Sequence, residues 1–61
     1  MTKKQAQKIL LREYVKALRS VEKSPEYETY RAGINYFMGW ISNDFEITVE
    51  EMREAREELY K

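Results

Sequence analysis

The chain has 61 residues with 11 basic and 11 acidic side chains and neither Cys nor His, so it forms one domain at most, and disulfides, thiolate centres and the usual zinc and copper ligand sets are excluded. A single core of this size supplies about 3–5 kcal/mol, which leaves self-association as the remaining stabilising device. The net charge of zero conceals an asymmetry: residues 1–23 hold seven Lys or Arg against two Glu, and residues 24–61 hold four basic against nine acidic side chains.

From Lys3 to Lys23 there is no Gly or Pro, and Leu11, Tyr14, Val15, Leu18 and Val21 recur at three- and four-residue steps. That spacing predicts an amphipathic helix over about 3–23, with Thr2 as its cap. Ile9 falls away from the stripe and is expected to be partly exposed. Ser24-Pro25-Glu26 then reads as a stop and a restart, with Ser24 capping the next helix and Pro25 at its first position.

The second helix is expected over about 25–42, ended by Asn43-Asp44. One side of it carries Tyr27, Tyr30, Ile34, Phe37, Met38 and Ile41, and the other carries Ala32, Gly33, Tyr36, Gly39 and Trp40. Neither side is an ordinary solvated face. Each mid-helix Gly costs roughly 0.5–1 kcal/mol relative to Ala, and two of them suggest close backbone approach by a neighbour. Phe45 and Ile47 in the following connection are expected to fold back onto the core.

Thr48-Val49-Glu50-Glu51 is a capping box, so a third helix is predicted over about 49–60. Val49, Met52, Ala55, Leu59 and Tyr60 face inward; Glu50, Glu51, Glu54, Glu57 and Glu58 face outward. The expected architecture is all-α, a single domain over residues 1–61: a three-helix antiparallel bundle with a long central helix, oligomeric, the middle helix in chain order giving most of the core. Tyr14, Tyr27 and Tyr30 lie on core-facing stripes, where Tyr buries its ring and leaves its hydroxyl near water. The apolar run Ile34 to Ile41 is far short of the ~20 residues that span a bilayer. Gln-Ala-Gln-Lys follows Met-Thr-Lys-Lys where a signal peptide would carry an apolar run, so the expected location is the cytoplasm, with no membrane partner.

Catalysis needs an activated nucleophile, a perturbed acid or a bound metal. Ser20, Ser24, Ser42, Thr2, Thr29 and Thr48 have no His to activate them, and the expectation is a non-enzyme without a cofactor. Glu50, Glu54, Glu57 and Glu58 offer oxygen ligands, but a convex helix face cannot surround a cation, and these are read as a solvated face with no metal.

Two features point to binding. Lys4, Lys8, Arg12, Lys16, Arg19 and Lys23 follow one another at steps of four or three. Like charges so spaced repel by a few tenths of a kcal/mol per pair unless an anionic surface lies opposite, either carboxylates or a nucleic-acid backbone. Against nucleic acid, a helix-turn-helix reading would send the glutamate face of the third helix into the groove. The other feature is the outer face of the second helix, where Tyr36 and Trp40 stack one turn apart among Ala32, Gly33 and Gly39. Trp and Tyr are enriched in binding hot spots. The competing reading is that both rings pack over the ends of the other helices and complete the core.

In size, charge-rich ends and lack of catalytic residues, the chain resembles in style the small accessory proteins that bacteriophages and mobile elements encode, many of which bind and block a host protein. The sequence thus leads to a non-enzymatic helical interaction module, a homodimer that binds a protein partner stoichiometrically, with Tyr36 and Trp40 as anchors and the Lys/Arg stripe as electrostatic guide. The alternative is an anion- or nucleic-acid-binding accessory protein that uses the first helix.

Overall fold

The computed structural model describes residues 1–58. The helices are α1 (Lys3–Val21), α2 (Tyr27–Asp44) and α3 (Val49–Glu58), and no strand occurs among the described residues. The fold is all-α, with the three helices the apolar periodicity predicts. Helix α1 contacts both of the others, while α2 and α3 do not pack on each other among the described residues. The long helix at the centre is therefore the first in the chain. The middle helix, from which most of the core was expected, supplies one of the five buried apolar side chains.

Those five are Tyr14 and Leu18 from α1, Met38 from α2, Ile47 from the second connection and Met52 from α3. Leu10, Leu11, Ile34, Ile41 and Phe45 pack around them. Phe45 and Ile47 do fold back, as expected, and Ile9 is partly exposed. Val49, expected inward, is 68% exposed, whereas Ile47 before it and Met52 in the same turn are buried. Leu59 and Tyr60, the remaining inward positions expected on α3, lie outside the described residues.

Helix directions follow from the cross-links. Gln7 Nε2 donates to the Phe45 carbonyl at 2.6 Å, and Lys3 pairs with Glu46, so the start of α1 lies beside the end of α2. Higher up, Tyr14 meets Asn35, which makes α1 and α2 antiparallel. Helix α3 leaves from the Glu46 end and reaches Tyr14 again through Arg56.

The Tyr14 hydroxyl is where the three helices join. It donates to Asn35 Oδ1 on α2 at 2.5 Å and accepts from Arg56 Nη1 on α3 at 3.0 Å, while its ring is buried. The sequence expectation of a hydroxyl near water is thus corrected: both of its hydrogen-bonding roles are taken by protein. Two helices without backbone-level contact among the described residues are linked through one side chain of the third.

The helix ends explain the boundary differences. Thr2 caps α1 as expected: its Oγ1 accepts from the Gln5 N–H at 3.1 Å and Gln5 Oε1 accepts from the Thr2 N–H at 2.8 Å, a full capping box. Helix α1 stops at Val21, two residues early, and its last turn tightens through a Ser24 N–H to Val21 carbonyl bond of 3.0 Å. Ser24 does not cap α2. Its carbonyl accepts from the Tyr27 N–H at 3.1 Å and its Oγ from the Glu26 N–H at 3.1 Å, so Pro25 sits in a tight turn and α2 begins at Tyr27.

At the other end α2 runs through Asn43 and Asp44 and closes one residue later, in a Schellman motif. The Ile47 N–H bonds the Ser42 carbonyl at 2.9 Å and the Glu46 N–H bonds the Asn43 carbonyl at 3.4 Å. Glu46 takes the left-handed position, with φ 55°, where Gly or Asn is usual. This bend turns Ile47 inward. Buried Ser42 is satisfied by donating to the Gly39 carbonyl at 3.0 Å.

The Thr48 box forms as read: Thr48 Oγ1 accepts from the Glu51 N–H at 3.1 Å, and Glu51 Oε1 accepts from the Thr48 N–H at 3.0 Å and from its hydroxyl at 3.0 Å. The backbone bond from Thr48, then the hydroxyl bond, hold the Glu51 carboxyl below the ordinary value of 4.5.

Three outcomes follow from this frame. Tyr14→Phe removes the shared hydroxyl and leaves Asn35 and Arg56 without it, and urea unfolding should show a loss of about 1–3 kcal/mol. An unchanged midpoint would mean that the hydroxyl joins nothing. Glu46→Gly should be more stable than Glu46→Val by about 1–2 kcal/mol, since both lose the carboxylate and only Val resists positive φ; equal stabilities would place the bend elsewhere. The Glu51 carboxyl is lowered in the fold, so its contribution is complete above pH 4.5 and disappears as pH falls through the lowered value. An NMR titration should give its midpoint below 4.5, and Glu51→Gln should remove that part of the acid limb of the pH–stability curve.

Candidate functional site

With Met38 buried against the core, one flank of α2 is left uncovered among the described residues. Tyr36 is 84% exposed, Trp40 65%, Phe37 57% and Tyr30 45%. The first two were expected on an outer face. Tyr30 and Phe37 were expected to face the core, and their exposure is a correction: among the described residues α2 has backbone-level packing with α1 alone, so only part of its apolar perimeter meets a neighbour.

Phe37 and Trp40 stack in a tilted pair, ring centroids 6.2 Å apart and planes at 49°. Beside this ridge runs a groove of about 570 Å3 between α1 and α2. Leu10, Ala17 and Val21 form one wall, Gly33, Ile34 and Phe37 the other, and Glu13 is the charged residue at its margin. Ridge and groove make one continuous apolar surface across two helices.

Ala32, Gly33 and Gly39 are all exposed. On helical geometry Gly33 lies on the groove side of the Tyr36/Trp40 ridge, and Ala32 and Gly39 lie on the other side. A Cβ built at Gly33 or Gly39 meets nothing within 4 Å. The close neighbour expected at the glycines is thus absent among the described residues, where their cost to α2, roughly 0.5–1 kcal/mol each, is not offset by close packing.

The basic stripe is intact and solvated. Lys4, Lys8, Arg12, Lys16, Arg19 and Lys23 are all exposed. Arg12 Nε lies 3.9 Å from Glu13, and the other five form no ion pair among the described residues. Arg12, Lys16 and Arg19 line one bank of a groove of about 450 Å3 between α1 and α3, over a floor of Leu11, Val15 and Ala55. The stripe and the aromatic ridge therefore occupy different faces of the molecule.

A third concavity escaped the sequence reading. Between α2 and α3, over Leu18, a cleft of about 480 Å3 is lined by Asn35, Arg53 and Arg56, with Tyr27, Arg31 and Glu57 at its edges. Arg31 bonds Glu28 at 2.6 Å and lies 5.8 Å from the Tyr27 ring centroid. The three-residue step from Arg53 to Arg56 was the available signal, masked by the glutamates around it. Arg56 has a structural task here, holding the Tyr14 hydroxyl.

Among the described residues no three His, Cys, Asp or Glu side chains are grouped to hold a metal ion, and no helix is long and apolar enough to cross a membrane. The hydroxyls of Thr2, Ser20, Ser24, Ser42 and Thr48 bond nearby backbone groups. No protein-family model, curated protein or solved structure matches the chain.

Proposed function

We propose that this chain is a non-enzymatic helical interaction module, a homodimer that binds a protein partner stoichiometrically, in the manner of the small cytoplasmic inhibitors with which phages and mobile elements block a host protein. The observation that carries the reading is the uncovered α1/α2 face, where the Phe37–Trp40 ridge borders an apolar groove of about 570 Å3. Large aromatics beside small residues supply much contact area at little entropic cost.

The size of the surface supports it too. The chain exposes 4869 Å2, whereas a folded monomer of 7.4 kDa exposes about 4,200 Å2. The radius of gyration, 11.6 Å, likewise exceeds the roughly 10.5 Å of an average domain of this length. In this reading the Lys/Arg stripe steers an acidic partner and acts on association rate more than on final affinity. The local roles of five hydroxyls, those of Thr2, Ser24 and Thr48 in caps and turns and those of Ser20 and Ser42 on helix carbonyls, support a reading without catalysis.

The unpaired stripe supports a second reading, an anion or nucleic-acid binder working through Lys4, Lys8, Arg12, Lys16, Arg19 and Lys23. Its signature is affinity that falls steeply with salt.

Trp40→Glu tests the first reading. The indole is mostly exposed, so circular dichroism should show the helices retained and the folded protomer changed by no more than about 0.5 kcal/mol, while light scattering should show the mass fall to that of one chain. If the substitution instead unfolds the chain, the indole is a core residue. If it leaves both fold and mass unaltered, this face carries no contact.

A further inference from the structure

We infer that the occupant of the α1/α2 face is a second copy of this chain, related by a twofold axis, with the two α2 helices crossing antiparallel at Gly33 and each Phe37–Trp40 ridge seated in the other's groove. This rests on reading that face as a contact surface and names what covers it.

The shape of the face is self-complementary. A ridge and a groove lie side by side on it, as an isologous interface requires, since each protomer must offer both the projecting and the receiving part. Its charge is suited as well. The groove has one charged residue at its margin, Glu13, whereas the basic stripe and the acidic outer face of α3 lie elsewhere. A strongly charged foreign partner would find only Glu13 here to pair with.

Among the described residues the core is five buried apolar side chains, and a copy of the chain itself is the one partner present wherever the protein is made. Such a pair aligns two α1/α2 hairpins as a four-helix bundle.

Gly33 fixes the register. It sits in the groove wall between Tyr30 and Phe37, a turn from each, and its Cβ position opens into empty space. An antiparallel crossing there brings Phe37 of one copy towards Tyr30 of the other, both exposed in the protomer, and lets the backbones approach where a side chain would hold them apart. Gly39 is equally open but lies on the opposite side of the Tyr36/Trp40 ridge. It serves as the internal control.

Sedimentation of Gly33→Gln and Gly39→Gln separates the possibilities, with circular dichroism confirming that each variant is folded. The expected result is a dimer in the unaltered protein and in Gly39→Gln, with dissociation constants within about twofold, and a dimer weakened about tenfold or more in Gly33→Gln. The chain has no native Cys, so Gly33→Cys and Gly39→Cys give a second, independent arm: under mild oxidation only the first should form a covalent dimer. A dimer that Gly33→Gln leaves intact, or that Gly39→Cys cross-links as readily as Gly33→Cys, overturns the proposed crossing. An unaltered protein that stays at 7.4 kDa at millimolar concentration overturns the second copy as occupant. In that case an exposed, red-shifted Trp40 leaves the reading as an interaction surface standing, and a blue-shifted one removes that as well.

Discussion

The structure depends on one side chain that serves three helices. Among the described residues helices α2 and α3 make no backbone-level contact, and Tyr14 joins them, its hydroxyl donating to Asn35 on one and accepting from Arg56 on the other. Its ring, with Leu18 a turn further on, forms the part of the core that α1 contributes. A buried phenol with both roles of its hydroxyl satisfied fixes position as well as adding stability, because a shifted helix would strand a donor or an acceptor away from water.

From this arrangement the exposed face follows as a matter of geometry. With α1 as hub, α2 has one helix packed on it among the described residues, and part of its apolar perimeter is left exposed. Phe37, Trp40 and Tyr36 occupy that remainder. The two glycines of α2 belong to the same problem: both weaken the helix, and neither is crowded by a neighbour among the described residues. The charges are disposed around this face, with the basic stripe on the solvated side of α1 and the glutamates on α3.

Much of the frame was legible before the structure because it is written in short-range chemistry. Thr2 and the Thr48–Glu51 box act as caps because their partners are three residues away, and Leu18, Met38 and Met52 are buried where the helical period puts them. Three things were not legible. Periodicity tells which side of a helix is apolar but not how many neighbours will cover it, so Tyr30 and Phe37 read as core and α2 as the source of most of it. The end of α2 was misplaced because the bend relies on Glu46, a residue that seldom marks a left-handed cap. The cleft at Arg53 and Arg56 depends on Asn35, far away in sequence. Of the candidate site, the Tyr36/Trp40 ridge was visible as two aromatics one turn apart among small residues. The groove beside it was not, since half of it comes from α1.

The central claim is that a second molecule covers the flank of α2 that the chain leaves bare. Trp40 is the single tryptophan, and it stands at the edge of that flank. Its emission across a dilution series is therefore the most direct measurement. The account expects blue-shifted emission in concentrated solution that moves to the red on dilution, in step with a fall in mass from twice 7.4 kDa to 7.4 kDa. Emission that is red-shifted and constant at every concentration, at the mass of one chain, would contradict it.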